Sequence, residues 1–440
     1  MKFSYLFIGI GAMCMPVHAQ QAWTLKKCID YAIEHNLTIK QQEASAEQSK
    51  IELSTAKNSR LPDLNGSASH SFSFGRSLQA DNTYNSINTQ NTGFSLSTSV
   101  PLFTGLQIPN NIALSKLNLQ AALEDLNAAK ENVSIQVASS YLQVLFNDEL
   151  ARVAHEQVDL SREMLVQREA YFRNGKASES ELYEAKSRVD QDELSAVQAD
   201  NDYQLALLDL SQLLELPSPD GFAIVSPQTD AVENLGTPLP PAEIYADALL
   251  IKPVIKAAQY RLEGAQKSIR IAQSVYYPQL SLGAGLSTNY YKMSGMDNAG
   301  FGSQLRDNFS QYVGLTLSIP IFNRLATRNR VRSARIQQTT LGWQLEDSKK
   351  TLYKEIQQAY YNTLSAQTQY TSSRTAAEAA KASFDLMKER YMNGKANATE
   401  FNESRTAWMR AVSDQLQAKY NYIFRFKILD FYRGVPLELK

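Results

Sequence analysis

The sequence predicts a mainly α-helical fold with a small transmembrane β part, built from one unit that occurs twice. Three observations predict it: motifs that recur at a nearly constant offset, long segments without proline, and four stretches in which apolar and polar residues alternate. The long segments predict antiparallel coiled-coil helices, and the alternating stretches predict membrane strands. A chain of 440 residues is long enough to bury a large core or to form several domains.

The composition and the N-terminus limit the class of protein. With 44 basic and 45 acidic residues the chain has no global charge that would favour nucleic acid. Lys2, an apolar run, Pro16 and the small residue Ala19 predict a secretory signal peptide over 1–19. A membrane anchor is disfavoured because the run is shorter than about 20 residues. A lipoprotein anchor is disfavoured because it needs a small residue just before the cysteine, and Met13 precedes Cys14. Only Cys28 then remains, so the mature chain cannot form an internal disulfide.

Three motifs recur in the same order. The pairs are 60–64 with 276–280 at an offset of 216, 99–103 with 318–322 at 219, and 172–177 with 391–396 at 219. This pattern predicts a tandem duplication. The predicted organisation is a first repeat (20–216), a proline-rich linker (217–242), a second repeat (243–433) and a C-terminal tail (434–440).

The proline-free segments predict the helices and their turns. Leu106–Arg173 contains no helix breaker other than Pro109 near its start, so a continuous helix would be about 100 Å long. A seven-residue repeat indicates coiled-coil packing, although a plain antiparallel bundle core would show the same stripe; its members are Leu182, Val189, Ala196, Tyr203 and Leu210. The Asn-Gly-Lys sequences at 174–176 and 393–395 predict turns that reverse each helix pair.

In four stretches apolar residues recur at every second position instead of every seventh: 64–74, 94–102, 280–287 and 313–321. Each is close to the 9–11 residues of a tilted membrane strand. A soluble β-sandwich would show the same alternation but predicts more strands. Four strands are too few to close a barrel, so two, three or four chains would have to share one. The connections around 75–91 and 292–310 are polar, as expected of exposed loops.

Prolines mark the ends of the predicted strands. Pro62 and Pro278 precede a strand in each copy, and Pro101 and Pro320 lie where a strand gives way to a long helix. Proline cannot donate a hydrogen bond to a strand ladder, so it suits these positions.

Taken together, the leader, the duplication, the proline-marked junctions and the turn motifs resemble the TolC-type outer-membrane efflux proteins over essentially the whole mature chain. The resemblance implies a homotrimer with a shared twelve-stranded barrel in outer-membrane lipid and a helical tunnel in the periplasm. It implies a passive exit duct that works with a periplasmic adaptor protein and an inner-membrane efflux pump or ABC exporter. Such a duct is not an enzyme and uses no cofactor or metal.

Family members narrow at the tunnel tip, where acidic side chains face the lumen. The resemblance places Glu400 and Glu403 there, and Glu181 and Glu184 in the first copy. Carboxylates three residues apart share a helix face, and rings of them would favour cations. The alternative is that they are solvated acids near a helix N-terminus. Candidates for holding adjacent tips together or contacting the adaptor are Arg173, Asn174, Gly175, Lys176, Tyr391, Asn393, Gly394 and Lys395.

Two rival interpretations remain. An enzyme is disfavoured because the three histidines beyond the leader are scattered, and no zinc, phosphate-loop or nucleophile motif is present. A water-soluble periplasmic coiled-coil scaffold without a pore is the better rival. The four alternating stretches argue against it.

Overall fold

A computed structural model of the chain describes residues 22–78, 82–86, 88–219, 221–226 and 235–438. The predicted signal peptide, 1–19, lies outside the described residues. The helices are α1 Leu25–His35, α2 Leu37–Asn58, α3 Gln107–Arg173, α4 Glu179–Leu213, α5 Pro241–Ile251, α6 Pro253–Ser274, α7 Phe301–Asp307, α8 Ala326–Met392 and α9 Ala398–Tyr432. The strands are β1 Asn65–Ser73, β2 Arg76–Leu78, β3 Tyr84–Ser86, β4 Thr89–Phe103, β5 Gln279–Met293 and β6 Ser310–Ser318.

The chain divides into two compact units, and neither coincides with a sequence repeat. The described residues of Met1–Gln41, Ala128–Lys252 and Thr351–Lys440 form the first, here called the helical unit. Gln42–Asn127 and Pro253–Lys350 form the second, the sheet unit. Each unit takes segments from both copies, so the two copies fold together rather than as separate domains.

The predicted long helices are confirmed. Helix α3 is continuous from Gln107 to Arg173, and α8 in the second copy has the same length of 67 residues. The predicted heptad stripe of α4 faces inward: Val189, Ala196 and Leu210 are buried. Small and branched side chains dominate this core, which allows the helices to approach closely.

The N-terminal end of the described chain is fixed to the segment between the two copies. Trp23 forms a parallel bridge with Ile224, and the hydroxyl of buried Tyr141 donates to the backbone carbonyl of Val225 at 2.6 Å. The predicted linker therefore includes residues that are hydrogen-bonded to the first copy.

In the sheet unit the four predicted strands form one antiparallel sheet in the order β1-β4-β5-β6. The two copies meet at its centre, where Val100 of β4 is opposite Leu282 of β5. The expectation of plain loops at 75–91 and 292–310 was incomplete. The first contains the β2–β3 hairpin, and the second contains α7, whose Gln304 side chain accepts from the backbone N–H of Tyr291 at 2.9 Å.

Both strand-to-helix junctions have the same backbone conformation. Two consecutive residues adopt positive φ in each copy, Gly105 and Leu106 in the first and Arg324 and Leu325 in the second. Pro101 is opposite Ser281 in the β4–β5 ladder, next to the register shift at the end of β4; Pro320 follows the last residue of β6 by two positions. Positive φ is costly for residues other than glycine, so Leu106, Arg324 and Leu325 carry local backbone strain.

Candidate functional site

The two hairpin tips of the helical unit have the same backbone geometry. Two residues after α3 lies Gly175 at φ 69°, and two residues after α8 lies Gly394 at φ 67°. After each glycine a lysine N–H returns to the helix: Lys176 donates to the carbonyl of Tyr171, and Lys395 to that of Arg390, both at 2.8 Å. These are Schellman turns, which need a left-handed residue and therefore favour glycine. The predicted turns are confirmed.

The structure gives Glu181 and Glu400 a specific local role. Each is the third residue of its helix, and its carboxylate accepts from the backbone N–H of the capping residue: Ser178 at 2.7 Å and Asn397 at 3.1 Å. In return, Ser178 Oγ and Asn397 Oδ1 accept from the backbone N–H groups of Glu181 and Glu400. The hydrogen bonds from Ser178 hold the pKa of Glu181 below its ordinary value. Both glutamates are candidates from the sequence, whereas the capping boxes are seen only in the structure.

Glu184 and Glu403, three residues further along each helix, are exposed. They line one open groove of about 820 Å³ between the start of α4, α8 and α9. Asp414 is a third acid in the groove, and Arg410 is the one basic residue in its lining among the described residues. The groove is therefore a surface where a cation is favoured by nearby carboxylates.

The predicted tip-contact residues separate into two groups. Arg173, Asn174, Gly175, Lys176, Asn393, Gly394 and Lys395 are exposed. Tyr391 is half-buried: its ring stacks on Phe401 at 4.7 Å, and its hydroxyl accepts from Arg168 Nε at 3.0 Å. Burial raises the pKa of Tyr391 above its ordinary value. Arg168 also lies 3.9 Å from Glu181, so one cation connects the two tips.

Arg405 is the main residue that sequence analysis missed. It is 1% exposed, and its Nη2 donates to Asp192 Oδ2 at 2.5 Å while its Nε donates to Gln157 Oε1 at 2.8 Å. Burial lowers the pKa of the Arg405 guanidinium from its ordinary value. The sequence contains only a weak indication of this ion pair. Asp192 lies on the buried side of α4, between Val189 and Ala196 of the heptad stripe.

Two further observations concern the described residues as a whole. No group of three or more His, Cys, Asp or Glu side chains there is arranged to hold a metal ion. None of the helices in the described ranges combines the length and the apolar character needed to cross a bilayer.

Comparison with known proteins identifies the family. The family model for outer membrane efflux protein matches residues 28–215 and again 244–431. The chain is similar to outer membrane protein TolC of Escherichia coli K12, with 23% identity over 92% of this chain and 80% of that protein. It is also similar to the cation efflux system protein CusC of Escherichia coli O157:H7, with 25% identity over 79% of this chain and 74% of that protein.

The fold is similar to a solved channel. The Campylobacter jejuni CmeC outer membrane channel has a TM-score of 0.74 and 20% identity, covering 94% of this chain and 86% of that one. The double match of the family model agrees with the predicted duplication and covers most of the chain. The chain belongs to the outer membrane efflux protein family, whose members are efflux channels of the outer membrane.

Proposed function

We propose that this chain forms the passive exit duct of a tripartite efflux or secretion system. The observation that carries the proposal is the four-stranded sheet β1-β4-β5-β6, whose edges β1 and β6 have no further strand partner among the described residues. In a bilayer, unpaired backbone groups are too costly to leave exposed. Three copies would supply twelve strands, enough to close a barrel.

The proposed partners follow from this position. A channel in the outer membrane has no energy source, so an inner-membrane efflux pump or ABC exporter would supply the energy and a periplasmic adaptor would connect the two. The exposed tip residues Arg173, Lys176 and Lys395 are available for contact with the adaptor. A water-soluble scaffold without a pore is not supported, because the family is one of membrane channels.

We propose Glu184 and Glu403 as the acids that set charge preference in the duct. Both carboxylates are exposed in the same groove, whereas Glu181 and Glu400 each accept a hydrogen bond from their own helix cap. Glu181 and Glu400 are secondary candidates for the constriction, because each has a second carboxylate oxygen that can face a solute.

Single-channel recording in planar bilayers tests the proposal. The purified protein should conduct and should prefer K⁺ over Cl⁻, and Glu403→Gln with Glu184→Gln should reduce that preference. Glu263→Gln is the matched control, since Glu263 is an exposed glutamate on α6, in the sheet unit. Absence of any conductance contradicts the duct, and an unchanged preference in the double variant contradicts only the role of these acids.

A further inference from the structure

The start of α8 carries a dense cluster of positive charge. Five arginines lie within residues 324–335, all of them exposed: Arg324, Arg328, Arg330, Arg332 and Arg335. No acidic residue occurs between Asp307 and Glu346. None of the five side chains forms an ion pair with another residue in the described ranges. This arginine cluster is therefore an unbalanced patch in a chain of 44 basic and 45 acidic residues.

The arginine cluster does not stabilise its own helix. Arg328 and Arg332 are four residues apart, and Arg332 and Arg335 are three apart, so like charges are neighbours on the helix surface and destabilise it. The helix begins at Ala326, and cations near a helix N-terminus also oppose the helix macrodipole. The first turn of α8 contains no acidic residue that would offset them. An anion from outside the chain would offset both effects.

The duplication provides an internal comparison for the arginine cluster. The offset of 219 carries 324–335 to 105–116, at the start of α3. The matching positions there hold Gly105, Pro109, Asn111, Ala113 and Lys116. The first copy therefore forms the same strand-to-helix junction, with the same pair of positive φ angles, with a single basic residue. The arginines belong to the second copy alone and are not a requirement of the junction.

The arginine cluster follows a predicted membrane strand at the end where the helices begin. β6 ends at Ser318, and the exposed apolar residues Ile319, Ile321 and Phe322 come next. Arg324 is two residues past Phe322, which is at most about 7 Å of extended chain. The headgroup layer on one side of a bilayer is about 5–8 Å thick. With the apolar residues in the hydrocarbon, the arginine cluster therefore starts at headgroup depth.

Two other helix-to-strand boundaries of the sheet unit are also basic. Lys57 and Arg60 precede β1, and Arg270 precedes β5; all three are exposed. The one acid in 57–64 and 270–278 is Asp63. Its Oδ1 accepts from the backbone N–H of Ser99 at 2.7 Å, so this carboxylate is already used within the chain. The boundaries of the sheet unit thus add to the positive charge of the arginine cluster.

We propose that the arginine cluster binds the phosphate groups of anionic phospholipids in the periplasmic leaflet of the outer membrane. This inference rests on the membrane position of the sheet in the proposed duct and goes beyond it by assigning a lipid ligand. A guanidinium presents two parallel N–H donors that match two phosphate oxygens. A cluster of four to eight basic residues immediately beside a membrane span is typical of an anionic-headgroup site. Bound headgroups would also relieve the repulsion among the arginines.

Lipid binding to the purified protein in neutral detergent tests this site. The probe is phosphatidylglycerol, phosphatidylcholine with the same acyl chains is the reference, and native mass spectrometry counts the bound lipids. The variant Arg328→Gln/Arg330→Gln/Arg332→Gln removes three charges and keeps good helix formers. One basic residue near an anionic surface contributes about fivefold in affinity. The affinity for phosphatidylglycerol should therefore fall roughly 100-fold, and that for phosphatidylcholine should not change.

The matched control is Lys350→Gln/Lys354→Gln/Arg390→Gln. It removes three exposed charges from the same helix, all of them at least about 22 Å along α8 from Arg335. This control should bind phosphatidylglycerol as the native sequence does. If the triple variant of the arginine cluster does not assemble, Arg328→Gln and Arg332→Gln alone should each lose about fivefold.

Two results overturn the lipid site. One is equal affinity of the cluster variant and the control for phosphatidylglycerol. The other is full competition by inorganic phosphate at the same phosphate concentration, which would assign the arginines to a free anion.

Single-channel recording separates the lipid site from the duct. The cluster variant should keep the K⁺ preference of the native sequence. A changed preference together with unchanged lipid binding would place the arginines in the lumen and overturn the lipid site. Absence of conductance in every form would contradict the proposed function, whereas the lipid measurement would still decide the arginine site.

Discussion

Replacing Arg405 by methionine should loosen the tip of the helical unit selectively. Methionine keeps much of the volume but deletes three hydrogen bonds: two to Gln157, at 2.8 and 3.3 Å, and one to Asp192 at 2.5 Å. Breaking a buried ion pair by removing one partner costs about 3–5 kcal/mol. Asp192 keeps Arg188 at 3.3 Å, so we expect the lower end, about 3 kcal/mol.

Hydrogen–deuterium exchange of the α9 amides at 398–410 measures this change. If exchange follows local opening, about 3 kcal/mol corresponds to exchange roughly 150-fold faster. The control is Arg410→Met on the same helix, an exposed position at which we expect a change below about 0.5 kcal/mol, or roughly twofold. Adding Asp192→Leu to Arg405→Met should recover about 1–2 kcal/mol, because both charges are then gone. Equal exchange rates in Arg405→Met and Arg410→Met would contradict a stabilising role for the buried Arg405 hydrogen bonds.

Three further predictions concern turns and caps. Gly105→Ala should destabilise the sheet unit by about 2–4 kcal/mol, because the residue has φ 61° and faces the carbonyl of a neighbouring helix end. Gly342→Ala, in open space within α8, should instead stabilise by up to about 1 kcal/mol; thermal unfolding in detergent compares the two, and equal shifts would contradict the argument. Ser178→Ala should cost about 1 kcal/mol at the first turn of α4, visible as faster exchange there. The pKa of Glu181 is lowered in the fold, so its contribution should be complete above its ordinary value of 4.5 and lost as pH falls through the folded value; a pH-independent exchange rate of that turn would be inconsistent with the capping box.

Periodic features of this fold could be predicted from the sequence. The heptad stripe through Val189 and Leu210, the alternation in the four sheet strands and the tip glycines each repeat a local physical rule along the chain. A helix or strand that buries one face must show its period in the sequence. Because the unit is duplicated, each rule is visible twice, which is why the junctions and tips could be placed to within a few residues.

Features that depend on one side chain could not be predicted in this way. Arg405 and Asp192 have no counterpart pair in the other copy, where Lys186 and Ala411 occupy the matching positions. Nothing in a helical period separates a buried arginine from an exposed one. Likewise the positive φ of Leu106 and Leu325 at the strand-to-helix junctions is not indicated by residue type, because leucine rarely adopts it. The short helix α7 is held to β5 by Gln304, whose side chain accepts from the backbone N–H of Tyr291, and Asn298 just ahead of α7 accepts from that of Met293. In the sequence these residues are simply part of a polar segment.

The proposed duct requires three chains to share one closed sheet in the outer membrane. The most direct test is the native mass of the mature protein extracted from outer membranes in mild detergent, with the detergent contribution subtracted. We expect a detergent-dependent particle of three protomer masses. A monomer or dimer that stays in solution without detergent would contradict it, because edges β1 and β6 would then have to be stable without a neighbouring chain.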